Sequence, residues 1–324
     1  MNLAPWQEEG WRLLAERRTR GSLPHALLFC GPVGLGKRDF ADAFACGLLC
    51  QSVAADGQAC GQCRACKLFD ARSHPDCVRV NFQLRDDGKP RTEIIIDQIR
   101  ALGERLALTA QFGGCQIALI DPADAMNLSA SNALLKTLEE PTAATLIILL
   151  SDSPARLSAT IRSRCQRIDF RLPSTAQALA WLAAQGVGEK TAAAALQASG
   201  GNPGLAQAWA GGGGLALREE VVTDLRALHA GKTTPLDVAN RWAKAEAETR
   251  LWFAAALVQG EAHAQAGGAT GPIALTSGPD LTKLTLWFDQ ANRARTHLRG
   301  PLRPELVLLE VLSTWGALAP RRRA

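Results

Sequence analysis

Seven consecutive residues, Gly31-Pro32-Val33-Gly34-Leu35-Gly36-Lys37, constrain this chain more than any other feature. Two glycines bracketing four residues, followed by lysine, is the spacing of a phosphate loop. Glycines let backbone N–H groups approach a phosphate, the start of a helix favours its charge, and the lysine reaches the outer phosphates. Such a loop needs a strand before it and a helix after it. Both are present: Ala26 to Cys30 (ALLFC) reads as a short buried strand, and a helix is expected from about Lys37 to Leu49. The phosphate-cradling candidates are therefore Gly31, Gly34, Gly36 and Lys37.

Further short apolar or β-branched runs follow at Cys77 to Phe82, Gln116 to Ile120, Thr145 to Leu150 and Gln166 to Phe170, spaced by helical stretches. That order implies a parallel sheet covered by helices, an α/β P-loop domain. Leu13 and Leu14 belong to an amphipathic opening helix with Trp6 and Trp11, and Pro141 stops a helix from about Ser129 anchored by Ala133, Leu134, Leu135 and Leu138. Pro173 marks a break. Beyond it lie three short helices: Thr175 to Gln185, Glu189 to Ser199, and one after Pro203. Gly211 to Gly214 reads as a flexible joint, and the remainder as helices with a loop from Gly267 to Gly278. The expected division is 1–170, 171–210 and 211–324, which suits a chain of 324 residues.

The phosphate loop departs from a working one at two places. The residue after the lysine should carry a hydroxyl for Mg²⁺, and it is Arg38, which cannot coordinate a cation. Asp121 stands at the end of its strand as a Walker-B aspartate would, but the base expected next is Pro122, and Asp124 is three residues on. ATP hydrolysis by this chain alone, and a bound Mg²⁺, are not expected. Whether nucleotide still binds is left open.

Cys50, Cys60, Cys63 and Cys66 form a group, while the other five of the nine cysteines are scattered. Cys-x2-Cys turns are the usual zinc knuckle, and four thiolates close a tetrahedron with no position for water. A structural Zn²⁺ is expected here, which in such sites contributes about 10–16 kcal/mol of apparent free energy.

The net charge of +5, from 36 basic and 31 acidic residues, permits a nucleic-acid partner without requiring one. No run of eighteen apolar residues occurs, and Met1 to Glu9 lacks the order of a signal peptide, so a cytoplasmic protein without a membrane partner is expected. The tail Arg321-Arg322-Arg323 reads as an unstructured end.

Several motifs together resemble a known family: Leu23-Pro24-His25-Ala26-Leu27-Leu28-Phe29, the four-cysteine insert, Ser73-His74-Pro75-Asp76, Ile96-Asp97-Gln98-Ile99-Arg100, Asn132 to Pro141 (NALLKTLEEP) and Ser163-Arg164-Cys165. In this order they are similar to bacterial DNA polymerase III clamp-loader subunits of the AAA+ class. The likeness is dense over residues 20–170 and rests on length and helical character beyond 211. It implies a AAA+ module, a three-helix lid (171–210) and a helical collar (211–324) through which five subunits form a ring. It also implies that Arg164 projects into the ATP site of the adjacent tau/gamma ATPase subunit, and that Cys50, Cys60, Cys63 and Cys66 hold zinc. The implied partners are tau/gamma and delta subunits, the sliding clamp and primer-template DNA. Within the family, three departures point to the non-hydrolysing delta-prime branch. These are Arg38, Pro122, and a glycine where the lid of tau/gamma carries a sensor arginine, in Gly201-Asn202-Pro203-Gly204-Leu205-Ala206. The competing readings are an ATP-hydrolysing tau/gamma-type subunit and a zinc-dependent nucleic-acid-binding module.

Overall fold

The structure is a computed structural model that describes residues 3–85, 88–89, 91–142, 144–275, 280–298, 300 and 302–318. The tail Arg321–Arg323 and part of the Gly267–Gly278 loop lie outside the described residues. The chain packs as two compact units, Met1–Trp181 with Asn202–Leu205, and Leu182–Gly201 with Ala206–Ala324.

The first unit runs α1 (Glu8–Thr19), β1 (Ala26–Cys30), α2 (Lys37–Leu49), α3 (Arg64–Asp70), β2 (Cys77–Val80), α4 (Ile96–Leu106), β3 (Gln116–Ile120), α5 (Leu128–Glu139), β4 (Thr145–Ser151), α6 (Ala159–Arg164) and β5 (Gln166–Asp169), with α7 (Thr175–Ala184) following. The strands form one sheet in the order β2-β3-β4-β1-β5, and every pairing is parallel. β1, β3 and β4 are buried at every residue, which is why they read as unbroken apolar runs and not as alternating ones. One face carries an aromatic layer in which Phe40 meets Trp11, Phe29 and Phe170 edge to face at 5.5, 5.4 and 5.1 Å. The other face is aliphatic, with Leu28, Ile120 and Leu149 beneath Ile99, Leu102 and Leu134.

Apart from β5, which ends at Asp169, one residue short of Phe170, two strand ends differ from expectation. β2 stops at Val80, because the sheet edge leaves Phe82 without a partner strand and exposed. β4 runs one residue further, to Ser151. This second difference matters, since Cys30 then pairs with both Ser151 and Asp169, while Ile120 pairs with Leu149. The carboxyl ends of β3, β4 and β1 line up, and the segments carrying Asp121, Asp152 and Gly31 leave the sheet side by side. Crevices at this edge are where parallel sheets hold their ligands.

The remaining elements are helical among the described residues: α8 (Glu189–Ala198), α9 (Pro203–Gly211), α10 (Gly214–His229), α11 (Pro235–Lys244), α12 (Ala247–Ala266), α13 (Leu281–Leu298) and α14 (Pro304–Gly316). The core of the second unit is built around Trp242, Phe253, Trp287 and Trp315. Each buried indole finds an acceptor: Trp242 on Asp224 Oδ2 (2.8 Å), Trp287 on Val311 O (2.9 Å), Trp315 on Leu225 O (3.0 Å). The four-glycine stretch is not a free joint. Gly211 closes α9, Gly214 opens α10, and a side chain at Gly214 would run into the Trp209 ring. The run is a tight turn, held by Gly213 in the left-handed region (φ 76°).

Candidate functional site

The phosphate-loop candidates come together as expected, in a loop between β1 and α2. Gly34 and Gly36 take φ values of 89° and 73°, where a side chain would be strained. Gly31 passes so close to β5 that a Cβ there would lie 2.2 Å from Phe170 O.

The loop's carbonyl groups are occupied by the protein itself. The Lys37 ammonium, only 2% exposed, turns back to donate to Gly31 O (2.6 Å) and Pro32 O (2.7 Å). Asn202 Nδ2 donates to Val33 O (2.7 Å). Leu35 O accepts from Trp6 Nε1 (3.1 Å) and Gln7 Nε2 (2.9 Å), and the same Gln7 amide reaches Gly36 O (3.2 Å). Near Asn202, the first turn of α9 approaches so closely that a Cβ at Gly204 would lie 1.9 Å from Gly34 O. Among the described residues, the amides of Val33, Gly34, Leu35 and Gly36 donate to no protein acceptor.

Four charged groups meet beside the loop. Arg38 grips Asp121 with both ends of its fork, Nε to Oδ2 at 2.7 Å and Nη2 to Oδ1 at 2.9 Å. The same Nη2 reaches Asp152 Oδ2 at 3.1 Å, and the other oxygen of Asp152 is 2.6 Å from Lys37 Nζ. Burial pulls the Asp152 carboxyl upward, but the hydrogen bonds and charges of Lys37 and Arg38 outweigh it and hold it below the usual carboxylate range. Burial likewise opposes the Arg38 charge, and its bonds to Asp121 and Asp152 overcome that and raise its pKa further. Asp124 does not join the group. Its Oδ1 accepts from Ser151 Oγ (2.7 Å) and the Asp152 amide (3.2 Å), tying down the end of β4.

The four grouped cysteines also converge, their sulfurs all within 4.8 Å of one another. Cys50 sits at the carboxyl end of α2, and Cys63 caps α3 by accepting from the Cys66 amide. The Sγ separations are 3.9 Å for Cys50–Cys63, 3.9 Å for Cys60–Cys66 and 3.4 Å for Cys63–Cys66. A tetrahedron with metal–sulfur bonds of about 2.3 Å has edges of about 3.8 Å. Backbone amides point at three of the sulfurs: Ser52 and Cys60 at Cys50 (3.4 and 3.3 Å), Cys63 at Cys60 (3.4 Å), Cys66 at Cys63 (3.4 Å). At Cys63 the amides of Cys66 and Gln51 prevail over desolvation and bring the thiol down to about 6. Amides that favour thiolates, at near-tetrahedral spacing, fit a soft divalent ion. Cys50, Cys60, Cys63 and Cys66 would hold it, and a closed set of four sulfurs would leave it no position for water.

Arg164 ends α6. Its Nη2 is 2.6 Å from Glu139 Oε1 and its Nη1 donates to Thr160 O (3.1 Å), with the side chain about a third exposed at 35%. It stands apart from the chain's own phosphate loop in sequence and in hydrogen bonding, whereas Arg162 beside it is simply exposed.

Four participants carried no sequence signal for a place at this loop: Asp152, Asn202, Gln7 and Trp6. An acid directly after a central parallel strand was the available clue for Asp152. Gln7 and Trp6 had none, since only the fold carries the amino-terminal turn to a loop nearly thirty residues away.

Known proteins resemble this chain in sequence. The family model described as "DNA polymerase III, delta subunit" matches residues 6–174. A Pseudomonas aeruginosa protein called DNA polymerase III subunit delta' is 40% identical over 243 residues, covering 74% of this chain and 71% of that one. Its Escherichia coli namesake is 34% identical over 64% of this chain and 61% of its own. A Bacillus subtilis DNA polymerase III subunit tau is 32% identical over 51% of this chain and 28% of its own.

Proposed function

Because this chain belongs to the family of DNA polymerase III delta-prime subunits, we infer that it serves in a clamp loader as a subunit that does not itself hydrolyse ATP. The observation that carries this reading is the bidentate hold of Arg38 on Asp121. An aspartate in that position ordinarily helps to hold Mg²⁺. Here a permanently charged guanidinium satisfies both its oxygens, and arginine does not release its proton to make way for a metal. The residue that would polarise water is Pro122.

In this reading the chain works on a neighbour. Arg164, at the end of a short helix and part exposed, exchanges its contact with Glu139 for the phosphates of the adjacent tau/gamma subunit's ATP. An arginine given in trans in this way is worth about 10³ to 10⁵ in rate. Residues 171–210 form a lid and 211–324 a collar that sets ring position among tau/gamma and delta subunits. The assembly places a sliding clamp on primer-template DNA in the cytoplasm, and the cysteine centre holds a structural Zn²⁺. No helix among the described residues is long and apolar enough to cross a membrane. The tau/gamma-type alternative requires Arg38 to leave Asp121, and the small net charge of +5 gives a nucleic-acid module no particular support.

The test is reconstitution with the tau/gamma and delta subunits. The chain alone is expected to show no Mg²⁺-dependent ATP turnover, and the complex to show clamp- and DNA-stimulated turnover that Arg164→Ala lowers by at least about a hundredfold. Brisk hydrolysis by the lone chain, lost in Lys37→Ala, would reverse the reading.

A further inference from the structure

We propose that Asp152 is the residue that makes this phosphate loop refuse nucleotide: its carboxylate is an internal anion for Lys37 and Arg38, while Arg38 is an internal cation for Asp121. This deepens the non-hydrolysing reading above and rests on it.

The loop itself is otherwise intact. Its glycines hold the left-handed conformations of a phosphate cradle, α2 begins directly behind it, and the amides from Val33 to Gly36 are not spent on protein acceptors among the described residues. The carbonyls are what the surrounding side chains have taken, from Lys37, Asn202, Trp6 and Gln7. An anion-binding concavity with its amides unspent is still built to receive phosphate.

The charges decide otherwise. Two cations, Lys37 and Arg38, face two carboxylates, Asp121 and Asp152, so the cluster is neutral without a ligand. Asp152 touches both cations, at 2.6 and 3.1 Å. An entering triphosphate must take Lys37 away from a carboxylate it already holds in a nearly water-free setting, and must then lie beside that carboxylate's charge. At short range and low dielectric, like charges repel strongly. Arg38 adds a second exclusion, because a metal ion approaching Asp121 meets a fixed positive charge. The ligand class the loop would take without Asp152 is thus a nucleoside triphosphate free of metal.

The experiment uses the full-length chain, thermal melting with and without millimolar ATP, and titration of a fluorescent ATP analogue in EDTA. The wild-type melt should not move with ATP. Asp152→Ala should melt lower than wild type, regain stability with ATP, and bind the analogue at least about tenfold more tightly than wild type. Adding Mg²⁺, which withdraws the metal-free nucleotide as its metal complex, should weaken the apparent affinity while Arg38 is present, and Lys37→Ala in the same background should abolish the response. Asp152→Asn, neutral but similar in shape, repeats the test should the alanine variant not fold. A cooperatively folded Asp152 variant that ignores ATP overturns the proposal, as does wild-type protein that binds as tightly as the variant. Neither result touches the role of Arg164, which is read separately from turnover of the assembled complex.

Discussion

Single residues decide the chemistry here, and Arg38 decides most. A guanidinium where a phosphate loop ordinarily carries a hydroxyl sets a covalently attached charge beside Asp121. Its geometry, both oxygens of Asp121 in one fork, is the arrangement arginine forms best and lysine cannot. His74 is a second residue with a measurable consequence. It is 4% exposed, and its Nδ1 accepts from the Asp76 amide (3.1 Å), so the ring is held neutral with its proton on Nε2. Burial keeps its pKa below the ordinary value. As the pH falls below about 6.5 the unfolded chain takes up a proton that the native ring still refuses, so stability is lost on acidification by at most about 1.4 kcal/mol per pH unit. Urea unfolding across that window should show this slope in wild type and a flatter one in His74→Gln. An equal slope in both would assign the acid sensitivity to other groups.

At the scale of elements, the loop between β1 and α2 and the insert between α2 and α3 behave differently. The first is fixed by close backbone approach. Gly31→Ala forces a Cβ to within 2.2 Å of Phe170 O, a backbone atom with no freedom to move aside, at a φ of 146°. It should cost about 2–4 kcal/mol of stability, read as a shift in the denaturant midpoint, whereas Gly61→Ala, with nothing within 4 Å but a positive φ, should cost about 1 kcal/mol. The insert carries little apolar core and depends on its sulfurs. Purified protein should contain about one zinc per chain by elemental analysis, and Cys60→Ala or Cys66→Ala should reduce this to near zero. The metal-free variants should be cut first by protease between Cys50 and Cys66. Full metal content in both variants would show that these four side chains are not the ligands.

For the whole molecule, the chain packs as two units with separate cores. Trp242 is fully buried in the second unit and also spends its N–H on Asp224. Trp242→Ala should destabilise that unit by about 3–5 kcal/mol. If residues 211–324 form the collar, the variant should be lost from a complex with tau/gamma and delta subunits on size-exclusion chromatography, while zinc content, which belongs to the first unit, stays unchanged. Loss of both together would mean that the two units do not fold independently.

Much of this was legible in the amino-acid order alone, for a local reason. Strand–glycine turn–helix, Cys-x2-Cys knuckles and helix stops at proline are short-range patterns, so the phosphate loop, the grouping of the four cysteines, the parallel sheet and the helical second half could be placed without coordinates. The same order showed that Arg38 and Pro122 stand where a working centre needs other groups. What only the tertiary structure decided is where the displaced charges go. Asp152, Gln7, Trp6 and Asn202 reach the loop from far along the chain, and whether the four-glycine run swings or turns depends on the Trp209 ring packed against it. Parallel strand register brings Asp152 beside the loop, and the packing of the amino-terminal turn and of Asn202 against it brings the others; both are properties of the folded chain that no local stretch of sequence contains.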